Sequence, residues 1–136
     1  MRILNYILPL FLLAFAAQAA ETITLPVKQT DYEKVWKAAL VDKLRADKIG
    51  NVFSETRVDY GRVDITTDKE VIEIDRHDKF HQGIGQALHY ALATGKDPVL
   101  ALMLDKKNIY PQKTAFIEKL CKRYKIRVVL LKAGKN

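Results

Sequence analysis

The segment Pro98–Leu104 reads Pro-Val-Leu-Ala-Leu-Met-Leu, and this nearly unbroken apolar run constrains the fold more than any other stretch. A run so short and so apolar has no face to turn to water. It reads as a strand covered on both sides by helices. A second apolar run, Ile126–Leu131, follows a helix predicted over about Pro111 to Tyr124. Upstream, Asn51–Val58, Gly61–Thr66 and Glu70–Asp75 mix β-branched residues with alternating polar ones, as half-buried strands do. One helix is predicted from an Asp31 cap to about Leu44, with Val35, Trp36, Ala39, Leu40 and Leu44 on one side. Another runs from about Lys79 to Thr94, with Asp78 as cap and Gly95 as stop signal. Residues 21–30 read as a short leader. The order αβββαβαβ, a meander followed by helix-crossover strands, predicts an α/β fold with a mixed central sheet flanked by helices.

The chain of 136 residues has room for one domain. Residues 1–19 follow the pattern of a cleavable secretory signal: Met-Arg at the start, an apolar stretch from Ile7 to Ala17 broken only by Pro9, and small residues before a cut after Ala19. The apolar stretch is shorter than the roughly 20 residues that span a bilayer. A secreted or periplasmic domain over residues 20–136 is therefore expected, with no stable membrane anchor after cleavage. Without Arg2, 22 Lys and Arg face 16 Asp and Glu, a net +6. A basic exported domain suits nucleic acid, anionic lipid or an acidic partner. The lone Cys121 rules out an internal disulfide, and no Cys/His cluster suggests zinc. Its helical spacing with Phe116, Ile117 and Leu120 predicts a buried thiol.

The chemistry concentrates in Gly61–Asp75. Alternation sends Val63 and Ile65 to one face of their strand and Arg62, Asp64 and Thr66 to the other. A loop centred on Asp68-Lys69 sets Ile65 against Ile72 and Val63 against Ile74, closing an apolar layer. On the opposite face Asp64 then meets Glu73, and Arg62 meets Asp75. Directly opposed residues have Cβ atoms about 4.5–5.5 Å apart, a distance at which carboxylates repel and disfavour each other's ionisation. A hard divalent cation reverses that balance, because Mg²⁺ takes oxygen ligands from one or two carboxylates and completes its shell with water and phosphate. The alternative is a solvated strand face with Arg62–Asp75 as an ordinary ion pair.

The run Asp64…Glu73-Ile74-Asp75, followed by Ile84-Gly85-Gln86-Ala87-Leu88-His89-Tyr90-Ala91, resembles the PD-(D/E)XK (restriction-endonuclease-like) nuclease superfamily over about Trp36 to Leu104. The resemblance implies an α-β-β-β-α-β core with Asp64 and Glu73 as ligands of Mg²⁺ or Mn²⁺, assisted by the main-chain carbonyl of Ile74. Glu55 is implied as a further acidic residue. The chain departs from the family pattern at the signature lysine, where it has Asp75. Lys79, or secondarily Arg76, is the candidate for a displaced cation that handles the attacking water. Gln86 is implied to orient water or phosphate, with Tyr90 as a further site candidate. With Gln82 they form one polar i, i+4, i+8 stripe, and a hydrogen-bonded packing edge is the alternative for both. Ile84, Ala87, Leu88, Ala91 and Leu92 are expected on the apolar side of that helix. Gly83 and Gly85 suggest a close approach of helix to sheet or substrate.

The resulting expectation is an exported metal-dependent nuclease cutting DNA or RNA. Its rival is a catalytically degenerate nuclease fold that binds nucleic acid or protein in the periplasm, for which Asp75 is the main argument. A cell-envelope interaction protein is a third reading, resting on export and charge alone. His77, His81 and His89 have irregular spacing and no nucleophile, so surface or phosphate-contact roles are expected. Lys106, Lys107, Lys119, Lys122, Arg123, Lys125 and Arg127 are enough to line a basic face, which would make phosphate binding salt-sensitive. A solvated helix face is the default explanation for such a charge run.

Overall fold

The computed structural model describes residues 20–104 and 111–136. The expected signal segment, residues 1–19, and the Lys106-Lys107 pair lie outside the described residues. The elements are β1 (Glu21–Lys28), α1 (Glu33–Ala46), β2 (Phe53–Val58), β3 (Gly61–Thr66), β4 (Glu70–Arg76), α2 (Phe80–Thr94), β5 (Asp97–Met103), α3 (Pro111–Arg123) and β6 (Arg127–Lys135), with a 3-10 turn over His77–Lys79. They form a six-stranded mixed sheet in the order β1-β6-β5-β4-β3-β2. β1, β6, β5 and β4 run parallel, and β3 and β2 are antiparallel. The expected α/β class holds. Among the described residues no helix is long and apolar enough to cross a membrane.

Burial explains the β5 run. Val99, Ala101 and Met103 pack with Trp36, Leu40 and Val41 of α1, whereas Leu100 and Leu102 pack on the other face with Phe80 of α2 and Ile117 and Cys121 of α3. Cys121 is a buried free thiol, as its spacing suggests. Burial raises the thiol pKa to about 11, so the group is an inert core residue.

Four expectations need correction. Residues 21–30 are no leader: Ile23, Leu25 and Val27 alternate inward and Glu21–Lys28 forms the edge strand beside β6. Pro26 obscures the pattern, but an edge strand tolerates a residue without an N–H, and the pairing register shifts between Leu25 and Lys28, around it. Neither predicted N-cap caps its helix. Asp31 accepts the Lys28 N–H at 2.8 Å in the preceding turn, and Asp78 is held by the Arg76 guanidinium. The buried stripe of α2 is Phe80, Gly83, Ala87 and Tyr90, leaving Leu88 and Leu92 exposed. Gly95 does end α2, in the left-handed conformation at φ 69°, with its N–H on the Ala91 carbonyl.

The two helical glycines differ. A Cβ on Gly83 would clash with Cδ1 of the fully buried Leu100 and lie 3.2 Å from Cβ of Asp75, so Gly83 lets α2 sit tight on the sheet. Among the described residues nothing lies within 4 Å of the corresponding position on Gly85. Gly85→Ala is therefore expected to stabilise by about 1 kcal/mol, and overpacking should leave Gly83→Ala about 1–3 kcal/mol less stable than that variant. Urea unfolding of the two variants checks this; equal stabilisation by both would contradict the packing.

Candidate active site at a fork in the sheet

The β3–β4 loop gives the register read from the sequence, with Ile65 paired to Ile72 and Thr66 to Val71, but the ladder stops there. Beyond it each acidic side chain takes a main-chain donor of the other strand. Glu73 Oε1 accepts the Asp64 N–H at 3.1 Å, and Asp64 Oδ2 accepts the Ile74 N–H at 3.0 Å. Carboxylates thus satisfy backbone groups that a continued ladder would have paired. The split coincides with a kink in β2. Glu55 adopts φ 57° in mid-strand, and pairing on β3 skips the Glu55–Asp64 position between Ser54–Ile65 and Thr56–Val63. A non-glycine residue in that conformation costs about 1–2 kcal/mol. The apolar packing changes face across this position. Val63 joins Val71 and Tyr90 on the α2 side, whereas Ile65, Ile72 and Ile74 face α1. The expected layer pairing Val63 with Ile74 therefore does not form.

Because the sheet opens here, residues from both of its faces reach one cleft of about 390 Å³. Its walls include Asp64, Glu73, Ile74 and Asp75 from β3 and β4, Glu55 and Arg62 from the hairpin, and Glu33 from α1. Lys79 and the α2 stripe Gln82, Gln86 and Tyr90 complete it. Arg76 is not among these wall residues; its guanidinium forks Asp78 at 2.9 and 2.5 Å. The anticipated Arg62–Asp75 pair is absent: Arg62 Nε meets Glu55 Oε2 at 2.5 Å, and Asp75 is buried, accepting the Arg76 N–H at 2.9 Å. His77 is buried rather than on the surface, with Nε2 3.0 Å from Thr114 Oγ1. His81 lies against Phe80, and the ring N–H of His89 donates to the Asp59 carbonyl at 2.9 Å.

Two residues of α1 escaped the sequence reading. Lys37 donates to Asp64 Oδ1 at 2.8 Å and also to Glu55. Glu33, one turn earlier, stands at the exposed rim of the cleft. Their i, i+4 spacing beside Trp36 and Leu40 places both on one helix side, but only the tertiary structure sets that side over the fork.

The carboxylates differ in how willingly they ionise. Burial first, then the charge of Asp64, pushes Glu73 up to about 9. Burial also raises Asp75, against the Arg76 N–H and the Lys79 charge. Partial desolvation, then Asp64 and Asp75, raises Glu33. The bond to Lys37 holds Glu55 below the usual carboxylate range. For Lys37 itself burial works downward, but the bonds to Asp64 and Glu55 outweigh it and leave the ammonium raised.

Among the described residues no group of three or more His, Cys, Asp or Glu side chains is arranged to hold a metal ion. The donors that do meet are the Asp64 and Glu73 carboxylates beside Ile74, an all-oxygen set whose count fits Mg²⁺ or Mn²⁺ with water completing the shell. A carboxyl whose pKa is raised mainly by burial and a neighbouring negative charge gives up its proton more easily beside a divalent cation.

Glu73 makes stability depend on pH. Its folded pKa lies above the unfolded value of 4.5, so its contribution is complete below that value and is lost as pH rises through about 9. In chelator the protein is expected to lose stability across this window, by at most about 1.4 kcal/mol per pH unit for one proton. Glu73→Gln should remove that part of the slope. Urea midpoints at stepped pH test this, and an unchanged slope in the variant would contradict it. No family model, curated protein or solved structure matches the chain.

Proposed function

We propose that the chain is an exported, metal-dependent phosphodiester hydrolase of DNA or RNA, built on a restriction-endonuclease-like core. The observation that carries this reading is the reciprocal bonding of Asp64 and Glu73 across the fork, which brings two carboxylates together where a ladder would otherwise continue. The run α1-β2-β3-β4-α2-β5, with Asp64 on the second strand of the meander and Glu73 on the third, supports the fold assignment.

Asp64, Glu73 and the Ile74 carbonyl would hold Mg²⁺ or Mn²⁺. When bound, such an ion polarises a phosphoryl oxygen and lowers the pKa of attacking water. Glu73 would give up its proton to serve as a ligand. Lys37 fixes the Asp64 carboxylate through its bond to Oδ1. Lys79, on the cleft wall, supplies positive charge for the attacking water and developing negative charge, since the buried Asp75 occupies the position of the usual lysine. The amide of Gln86 on the same wall orients water or phosphate.

Divalent-dependent cleavage of DNA and RNA by the secreted form is the test. Asp64→Ala and Glu73→Ala should abolish cleavage, and Lys79→Ala should lower it about 10²–10⁴-fold while Mn²⁺ binding persists. Cleavage that survives either acidic substitution, or excess chelator, would remove the mechanism. A second reading, a degenerate nuclease fold that binds without cutting, is favoured by Asp75 at the lysine position. Mn²⁺ and oligonucleotide binding with no cleavage would select it.

A further inference from the structure

The β2–β3 hairpin carries features beyond those that build the cleft. Arg57 and Arg62 are direct cross-strand partners, like charges whose opposition destabilises a sheet. Glu55 offsets Arg62 at its Nε, and the two guanidinium groups carry further N–H donors that suit an anion. Both line a second groove, and Arg62 also lines the acidic cleft, so the two depressions adjoin. The turn joining Val58 to Gly61 is Asp59-Tyr60, and Tyr60 has φ 61°, a position where Gly or Asn normally serves. The Tyr60 side chain contributes nothing to the core, being 99% exposed. The tip is nevertheless held firmly. The His89 ring donates to the Asp59 carbonyl, and the Tyr90 ring lies so close under Gly61 that a Cβ there would collide with it. A strained, fully exposed aromatic on a pinned turn, next to paired arginines, is costly to stability and suited to binding.

We propose that this hairpin docks single-stranded nucleic acid, Tyr60 stacking on a base while Arg57 and Arg62 hold the adjacent phosphate and lead the strand into the cleft. The inference deepens the nuclease reading and rests on it for the direction of the strand. Stacking on an exposed aromatic suits unpaired bases, whose faces are available, and is indifferent to sequence.

The test is anisotropy of a labelled single-stranded oligonucleotide, and of its duplex, with the protein in chelator so that no cutting intervenes. Tyr60→Asn suits the left-handed turn and removes only the ring, so folding is preserved. It should weaken single-strand binding about 5- to 150-fold, Tyr60→Phe should keep wild-type affinity, and Arg57→Ala should reduce the salt slope by about 0.7. Unchanged binding by Tyr60→Asn, or a wild-type preference for duplex, overturns the hairpin inference. Cleavage by the wild type in Mn²⁺, measured in parallel, separates that failure from failure of the nuclease reading.

Discussion

The site depends on a sheet that stops pairing in its middle. Past Ile65 and Ile72, β3 and β4 part, and the carboxylates of Asp64 and Glu73 bond to the freed N–H groups. This solves two problems at once. The parted strands avoid orphaned donors, and acidic side chains acquire fixed positions from the backbone rather than from flexible neighbours. Main-chain anchoring is the kind of rigidity that a catalytic constellation needs. It also makes the cleft a meeting point of both sheet faces, since α1 brings Lys37 and Glu33 from one side and α2 brings Gln86 from the other.

The electrostatics follow from that crowding. Five carboxylates, those of Glu33, Glu55, Asp64, Glu73 and Asp75, share the cleft walls with Arg62 and Lys79. Lys37 neutralises the Glu55–Asp64 side through direct bonds, while burial first and the charge of Asp64 second favour the protonated form of Glu73. A chain selected for stability alone would place an apolar residue at this buried position. Glu73 is instead 2% exposed among strand residues whose neighbours are aliphatic. The kink at Glu55 adds a further local cost at the same place, and backbone strain of this kind gathers at functional sites.

Much of the frame was legible from the residues. The apolar run of β5 called for cover on both faces and has it, and the short loop around Asp68-Lys69 fixed the register of Ile65 on Ile72. Alternation then failed at Val63, which packs with Val71 and Tyr90 rather than with Ile65, and nothing in the composition of β2 signals that Glu55 will turn left-handed nearby. β1 was hidden by Pro26, a residue that excludes a central strand but not an edge one. Lys37 could be assigned to a helix side but not to the fork, since sequence periodicity orients a helix about its own axis and leaves its position over the sheet open. His77 shows the same limit: its burial beside Thr114 depends on α3, remote in sequence.

The most direct measurement is calorimetric titration of the protein with Mn²⁺ near pH 7.5 in two buffers of different ionisation enthalpy. If the fork is a cation site whose vacant form stores a proton on Glu73, uptake of one ion should release about one proton. The same titration of Glu73→Gln should show weakened uptake and no proton release. Mn²⁺ uptake by the wild type with no proton released, or no uptake at all, would contradict the account.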